Sequence, residues 1–427
     1  MFLELVMLTL LVQDVIAPHQ HHDLAGYRDF YIHGLNRQQL ISHYFLLGYT
    51  AVQICSILAL HHNIWLSVRH LRRLMWAQGL RIHRQHARIR DIVSAMRTEI
   101  SGSGRLLGYR LMWHRLNFQY GLRVTQNTTR LLLGILDPAG VGLRARGRLF
   151  RRQYSCSGPN HLWHIDGYDK LKQFGFAIHG AIDGFSRKVL WLRVGASNNN
   201  PELIAGLFLK QVKQARGMPT ILRCDRGTEN SIVRVLQMGL RMDHHDELSG
   251  FRSFMYGRST SNQRIECFWS QFRRMVAQFW INFFKDVRDR GLFDNSNGIH
   301  VECVRFCFTS LLQAEFDRAV RMWNNHSIRH QLHRECPSGK PNMLYHTPEL
   351  YGSTDRLKPL LVSDDELYEV EVQYSRTYHQ YGCSDQFVDV LREIVGEDIS
   401  NFEMPSTAEE ALLLYRQILE VIDLLSD

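Results

Sequence analysis

Between Pro159 and Gly227 the chain alternates short apolar runs with Gly, Asp and Ser turns, and two of those runs lead straight into an aspartate. LWHIDGYDKL, FGFAIHGAID and RKVLWLRVG read as three strands joined by short links, which favours an antiparallel meander. NNNPELIAGLFLKQVKQARG then reads as a helix, TILRCDRG as a fourth strand and ENSIVRVLQMG as another helix. After an irregular stretch, 241 to 260, NQRIECFWSQFRRMVAQFWINFFKDV reads as one long helix. Strand periodicity puts Trp163 and Ile165 on one face of the first strand and His164 and Asp166 on the other. A carboxylate facing packed neighbours is costly unless a positive partner meets it.

Three acidic residues answer to that description. Asp166 ends the first strand, Asp225 ends the fourth, and Glu266 lies in the first turns of the long helix. The gaps between them are 58 and 40 residues. With the fourth strand beside the first, the two aspartates would stand at adjacent strand ends, and the helix could bring Glu266 against them. Converging carboxylates without a Lys or Arg repel each other and titrate abnormally. Divalent cations remove that conflict, since Mg²⁺ favours oxygen ligands and keeps room for waters and phosphates.

The order and context of these residues resemble the DDE group of the retroviral-integrase superfamily, which has an RNase H-like core. The resemblance is carried by PNHLWHIDGYDKL, by the turn Asp183-Gly184-Phe185-Ser186-Arg187, by CDRGTEN and by SNQRIECFW. WNNHSIRHQLH (323 to 333) and TPEL (347 to 350) are similar to the closing segments of such integrases and of insertion-sequence transposases. The likeness covers roughly residues 90 to 350 and is most specific across 159 to 270. It implies an α/β fold with an RNase H-like mixed five-stranded sheet flanked by helices. It also implies metal-dependent DNA strand cleavage and strand transfer, with two Mg²⁺ (or Mn²⁺) ions. Asp166 would bridge both ions, and Asp225 and Glu266 would each hold one. Double-stranded DNA and further copies of the chain are the implied partners. The chain departs from retroviral relatives in a longer second gap, in lacking a matching His/Cys zinc set, and in its acidic tail. The alternative reading is a domesticated DNA-binding protein that retains the core without using it for catalysis.

Charge supports a polyanionic partner. From Tyr351 onward the chain has 17 Asp and Glu against 5 Lys and Arg, or −12. The first 350 residues carry 46 basic and 25 acidic side chains, or +21. A basic, Arg-rich body suits nucleic acid, and the tail reads as a solvated helical cap, the other reading being a competitor with DNA for the basic surface. The 427 residues divide into an N-terminal segment (1–35), a helix-turn-helix-like unit (36–90) and a second helical DNA-binding-like unit (91–141). A basic linker (142–158), the core (159–350) and the acidic tail (351–427) follow.

In the first helical unit, Thr50 and Ser67 are positioned to cap helices and Gly79 to stop one. The last of these helices carries Arg69, Arg72 and Arg73 opposite Leu71 and Met75, which suits a helix entering a DNA groove or a solvated basic face. The second unit reads as helices Tyr109 to Tyr120 and Gln126 to Leu136, ended by Asp137-Pro138. Arg144, Arg146, Arg148, Arg151 and Arg152 crowd the linker as a backbone-contact or nuclear-targeting strip. Arg273 and Arg274, after Glu266, are expected phosphate contacts, and Arg264, just before it, a phosphate contact or a surface charge.

Blander assignments hold elsewhere. Glu229 and Asn230 read as site-lining residues or as a turn and a helix cap. Asp169 and Asp183 read as turn residues, and Trp269, Phe272, Phe279 and Trp280 as core. His326 and His330 read as structural histidines, and His300, Cys303 and Cys307 as one face of a core helix. The eight cysteines lack disulfide-scaffold spacing, which fits an intracellular and, with DNA as partner, nuclear protein. MFLELVMLTLLVQDVIA has no Lys or Arg before Arg28 and is interrupted by Glu4 and Asp14. It is expected to be a docked helix or a misassigned start rather than a leader or membrane span.

Overall fold

A computed structural model describes residues 30, 32, 34–80, 87–145, 154–257, 262–329, 337–395 and 404–426. The N-terminal apolar stretch therefore lies outside the described residues, as do Arg146, Arg148, Arg151, Arg152 and His330.

The N-terminal helical region begins with α1 (Arg37–Leu46), α2 (Ala51–His62) and α3 (Val68–Ala77). Local chemistry sets their starts. Asn36 and Thr50 each form a reciprocal capping box, and Ser67 accepts from the His70 amide. Gly79, at φ +70°, closes α3. Leu40, Ile41, Tyr44, Ile54, Ile57, Leu58, Leu71 and Met75 form a small core of their own, joined by Met343 from the distant core domain. The unit is docked rather than separate. Tyr49 donates to Asn325, and Lys340 donates to the Gly48 carbonyl at 2.7 Å with its ammonium 3.9 Å from the Tyr49 ring centre.

The second unit comprises α4 (Ile89–Ser101), α5 (Tyr109–Phe118), α6 (Gln126–Leu136) and α7 (Pro138–Ala145). Pro138 opens a helix instead of ending structure, because its fixed φ and missing N–H suit a first helical turn. The first residues of the expected linker, Arg144 included, are thus helical. Ile92, Met96, Met112 and Leu116 belong to the same hydrophobic cluster as the core domain.

The core is a mixed five-stranded sheet with helices on both faces. Its strands are β1 (Leu162–Tyr168), β2 (Ala177–Asp183), β3 (Val189–Gly195), β4 (Ile221–Cys224) and β5 (Phe254–Tyr256), in the order β3-β2-β1-β4-β5. The first three form the expected antiparallel meander, whereas β1–β4 and β4–β5 are parallel. Trp163 and Ile165 pack against α8 (Pro201–Ala215) and α9 (Ser231–Leu240). The opposite face carries Tyr168, Ile178 and Ile182 and packs against a helical run made of α10 (Gln263–Phe272), a π turn (Arg273–Ala277) and α11 (Gln278–Asp289). The long α12 (Gly298–Asn325) shares that layer. Its last turn covers the start of β3: Trp323 donates to the Arg187 carbonyl at 2.7 Å, and Asn324 exchanges two hydrogen bonds with the Val189 backbone. That protects a strand edge which would otherwise expose unpaired groups.

Three expectations change here. The fifth strand lies inside the stretch read as irregular, 241 to 260. Arg241 is fully buried there and meets Asp246 at 2.8 Å, which organises the chain between α9 and β5. The expected single long helix contains the π turn. The acidic tail is helical but is no solvated cap. It forms α14 (Asp364–Tyr374), α15 (Asp385–Val395) and α16 (Ala408–Ser426), after a short α13 (Pro341–His346) that still belongs to the core. Leu367, Phe387, Val388, Leu391, Ala411, Tyr415 and Ile418 are buried, and the Tyr415 hydroxyl donates to the Leu292 carbonyl at 2.8 Å. Acids such as Asp364, Glu369, Asp385, Asp389, Glu409 and Glu420 are exposed on these helices, so the segment's net charge concealed an apolar stripe. His300, Cys303 and Cys307 do sit on one core helix: both thiols are buried, and His300 meets the Tyr415 hydroxyl at 2.8 Å. Burial pushes the Cys303 thiol up to about 12. Among the described residues no helix is long and apolar enough to cross a membrane.

Candidate active site

The register of two parallel strands creates the site. Leu162, Trp163 and His164 of β1 face Ile221, Leu222 and Arg223 of β4. Two residues beyond the last of these pairs stand Asp166, still within β1, and Asp225, the first residue after β4, both towards the C-terminal side of adjacent strands. Open α/β sheets place ligands at such strand ends, where neighbouring connections diverge. Helix α10 starts at Gln263 and crosses behind β1, bringing Glu266 to the same place within its first turns.

Electrostatics show that the three acids share one environment. The Asp166 carboxyl is pushed up to about 7, chiefly by burial, with the charges of Glu266 and Asp225 adding to the rise and the Trp269 indole opposing it. Glu266 is also raised, first by desolvation and then by Asp225. Its surface is exposed, so the desolvation comes from the surrounding protein volume rather than from coverage. The buried Cys224 thiol is raised by burial and then by Asp225, Glu229 and Asp166 together. None of the three acids makes an ion pair among the described residues. Among those residues no group of three or more His, Cys, Asp or Glu side chains has closed to metal-binding geometry. The donor set itself, three carboxylates near adjacent strands with no ion-pair partner among the described residues, fits the ligand chemistry of a hard divalent ion.

Neighbouring side chains orient these acids. Asp166 Oδ2 accepts from the Trp269 indole Nε1 at 2.9 Å. Asn230, buried, donates through Nδ2 to Glu229 Oε1 at 2.8 Å and more distantly to Asp225 Oδ1 at 3.4 Å. It occupies the N-cap position of α9 without a side-chain cap hydrogen bond, its amide being turned to these carboxylates instead. Glu229 is raised by burial and by the charges of Asp225 and Asp169. Gly227 permits that arrangement, since a Cβ there would fall 1.8 Å from a Glu229 carboxylate oxygen.

Behind Glu266 runs a buried chain of contacts. His164 Nε2 meets the Tyr154 hydroxyl at 2.8 Å, and His164 Nδ1 meets Asn262 Oδ1 at 2.5 Å. Asn262 also donates to the Ile165 carbonyl at 3.0 Å. Arg264 donates to the Gly184 carbonyl at 2.9 Å and lies 3.9 Å over the Tyr154 ring, so its guanidinium joins the sheet to the helix start.

The remaining sequence-singled residues fall as follows. Asp183 is a turn residue, accepting from the Asn160 amide and from both the amide and hydroxyl of Ser186. Asp169 is exposed, accepts from Asn198 at 2.7 Å and lies 3.4 Å from Lys172. Arg273 and Arg274 are exposed on the π turn, Arg273 donating to Gln278 at 2.7 Å. Arg69, Arg72 and Arg73 are exposed on α3, far along the chain from the acids, with Arg73 bonded to His70 at 2.8 Å. His326 bonds the Trp323 carbonyl at 2.5 Å and is structural. The partners that sequence reasoning missed are Asn262, His164 and Tyr154, together with the polar role of Trp269. A signal existed: Asn262, Glu266 and Trp269 follow i, i+4, i+7 spacing and so share one helix face.

Residues 153–351 match the family model described as Integrase core domain. No curated protein matches the chain.

Proposed function

We propose that this integrase core, set in an integrase- or transposase-like chain, carries out divalent-metal-dependent cleavage and transfer of DNA strands. The observation that carries the reading is that Asp166, near the end of one strand, and Asp225, just past its parallel neighbour, lie with Glu266 close enough for the charges of Glu266 and Asp225 to add to the rise that burial gives the Asp166 carboxyl. Proteins with this core are typically DDE transposases and integrases.

Asp166, Asp225 and Glu266 would hold the metal. When bound, divalent ions would supply Lewis-acid activation of a water or 3′-hydroxyl and neutralise charge on the phosphodiester. The chain's own contribution is positional and electrostatic. The carboxylates concentrate negative charge where cations are needed, and the Trp269 and Asn230 contacts hold two of them. No side chain is needed as a covalent nucleophile. Exposed Arg273 and Arg274, at the far end of the Glu266 helix, suit phosphate contacts that position DNA without reading sequence. Arg69, Arg72 and Arg73 suit a second, remote DNA contact on α3. Double-stranded DNA, a homo-oligomeric assembly and a nuclear location belong to the same proposal, supported by the basic balance of the first 350 residues.

The test is strand cleavage and joining on branched DNA with Mg²⁺ or Mn²⁺, using full-length protein and Glu266→Gln side by side. Activity in the wild type that is lost in the variant, with DNA binding equal, supports the reading. Inactivity of both with tight DNA binding retained favours a domesticated DNA-binding protein.

A further inference from the structure

We infer that Trp269 is a positioning residue for the site, holding the Asp166 carboxylate in one orientation through its indole N–H; this rests on the metal-dependent reading above. The bond is 2.9 Å long, and the indole is 5% exposed. A tryptophan N–H is a donor only, and once buried it must meet an acceptor. Here that acceptor is an oxygen of the strand aspartate itself.

Packing alone does not call for tryptophan at this position. Phe268 and Phe272, on either side of it along α10, fill the same core with plain rings. The indole adds a directed donor one turn beyond Glu266, so a single helix delivers both an acid and the group that steadies another. The ring in turn is held firmly. Tyr168 packs against it at 5.1 Å and Phe272 at 5.8 Å between ring centres. Gly180, which faces Asp166 directly in the β1–β2 register, leaves the space it occupies: a Cβ there would come within 2.8 Å of Trp269 Cη2.

The other end of the helix is tied to the same strand. Asn262 bonds both the Ile165 carbonyl and the His164 ring, so α10 is fastened to β1 on both sides of Glu266. Asp166 sits beside two like charges that favour its rotation away from them. A hydrogen bond from a buried, ring-packed donor opposes that rotation and prepares the carboxylate for a cation. Partners of ligating carboxylates commonly change metal affinity by roughly 10–100-fold when removed.

The experiment is calorimetric titration of Mn²⁺ into full-length wild type, Trp269→Phe, Gly180→Ala and Asp166→Asn, with a thermal melt and duplex-DNA binding on each. Wild type is expected to bind, and Asp166→Asn to lose binding. Trp269→Phe is expected to bind roughly 10–100-fold more weakly while still folded and DNA-bound. Its strand-transfer rate should recover at high Mn²⁺, a recovery that general loss of packing would not produce. Gly180→Ala moves the indole without removing it and decides the matter should Trp269→Phe fail to fold. Wild-type Mn²⁺ affinity in a folded Trp269→Phe, or in Gly180→Ala where Trp269→Phe does not fold, with binding lost in Asp166→Asn, overturns the inference and leaves the metal site standing. Absence of Mn²⁺ binding in wild type removes the metal-dependent reading and the inference together.

Discussion

Arg115 reaches out of α5 and donates through Nη2 to the main-chain carbonyl of Met275 at 2.9 Å, inside the π turn that follows the Glu266 helix. The same guanidinium is paired with buried Glu99 of α4. One arginine therefore joins the second helical unit to the helix that carries the site. π turns leave irregular carbonyls that need outside donors, and this one has found a charged donor.

Removing that donor should be costly. Arg115→Ala leaves Glu99 buried without a counter-charge, and losses of about 3–5 kcal/mol are usual in that situation. Urea unfolding of Arg115→Ala should show a loss of that order. The double variant Arg115→Met/Glu99→Met should recover much of it, because no charge is then stranded. Equal stability of Arg115→Ala and wild type would contradict the structural link.

Asp166→Asn should stabilise the metal-free protein. The folded carboxyl sits at about 7 against an ordinary 3.8, so its proton is held more tightly in the fold. The stability that this contributes is complete below 3.8 and is lost as pH rises through 7. At pH 8 in chelator, melting of Asp166→Asn should exceed wild type by up to about 3 kcal/mol. The difference should shrink at pH 5. Added Mg²⁺ should stabilise wild type only, through ligand linkage.

Acid should unfold the chain through its buried histidines. Burial pushes His114, His164 and His179 down to about 3, and His61 and His326 to about 4. Their neutral forms support the fold fully above the ordinary 6.5, and that support fades as pH falls towards 4. Each should cost on the order of 1 kcal/mol per pH unit below 6.5. His114 has no hydrogen-bond partner for either ring nitrogen among the described residues. His114→Leu should therefore raise stability by about 1 kcal/mol near neutrality and flatten the acid limb of a pH series by roughly one proton.

DNA binding should divide between α3 and the π turn. Replacing Arg69, Arg72 and Arg73 with Ala should weaken duplex binding and reduce the slope of log affinity against log salt. The slope should fall by about 0.9 for each phosphate that is no longer neutralised. Arg273→Ala/Arg274→Ala should do the same with a smaller change. An unaltered salt slope in the triple variant would mark α3 as an ordinary solvated face.

Much of the architecture was legible because its causes are local. Short apolar runs bounded by turn residues marked the four longest strands, and Thr50 and Ser67 marked helix starts through caps that bond within three residues. Asp166 and Asp225 stood out because each is a charge placed directly after an apolar run. The three-residue β5 was invisible, since so short a strand has no period and exists only because β4 offers an edge. The tail misled because charge was counted over 77 residues, whereas burial follows the narrower spacing of Leu367, Phe387, Leu391, Ala411 and Tyr415.

The sequence by itself determined the order of the four longest strands and of the helices around them, the two aspartates after apolar runs and the acid of the long helix, because apolar patterning, capping and turn chemistry act over a few neighbouring residues. Only the end of the first strand differs, since β1 runs on to Tyr168. The tertiary structure alone decided that Asp166 feels the charges of Asp225 and Glu266, that Trp269 holds Asp166 from 103 positions away, and that the acidic tail closes the core. Those outcomes depend on which strand edges pair and which faces remain to be covered. No local pattern records that choice, since it is settled only when distant segments compete to bury the same surface.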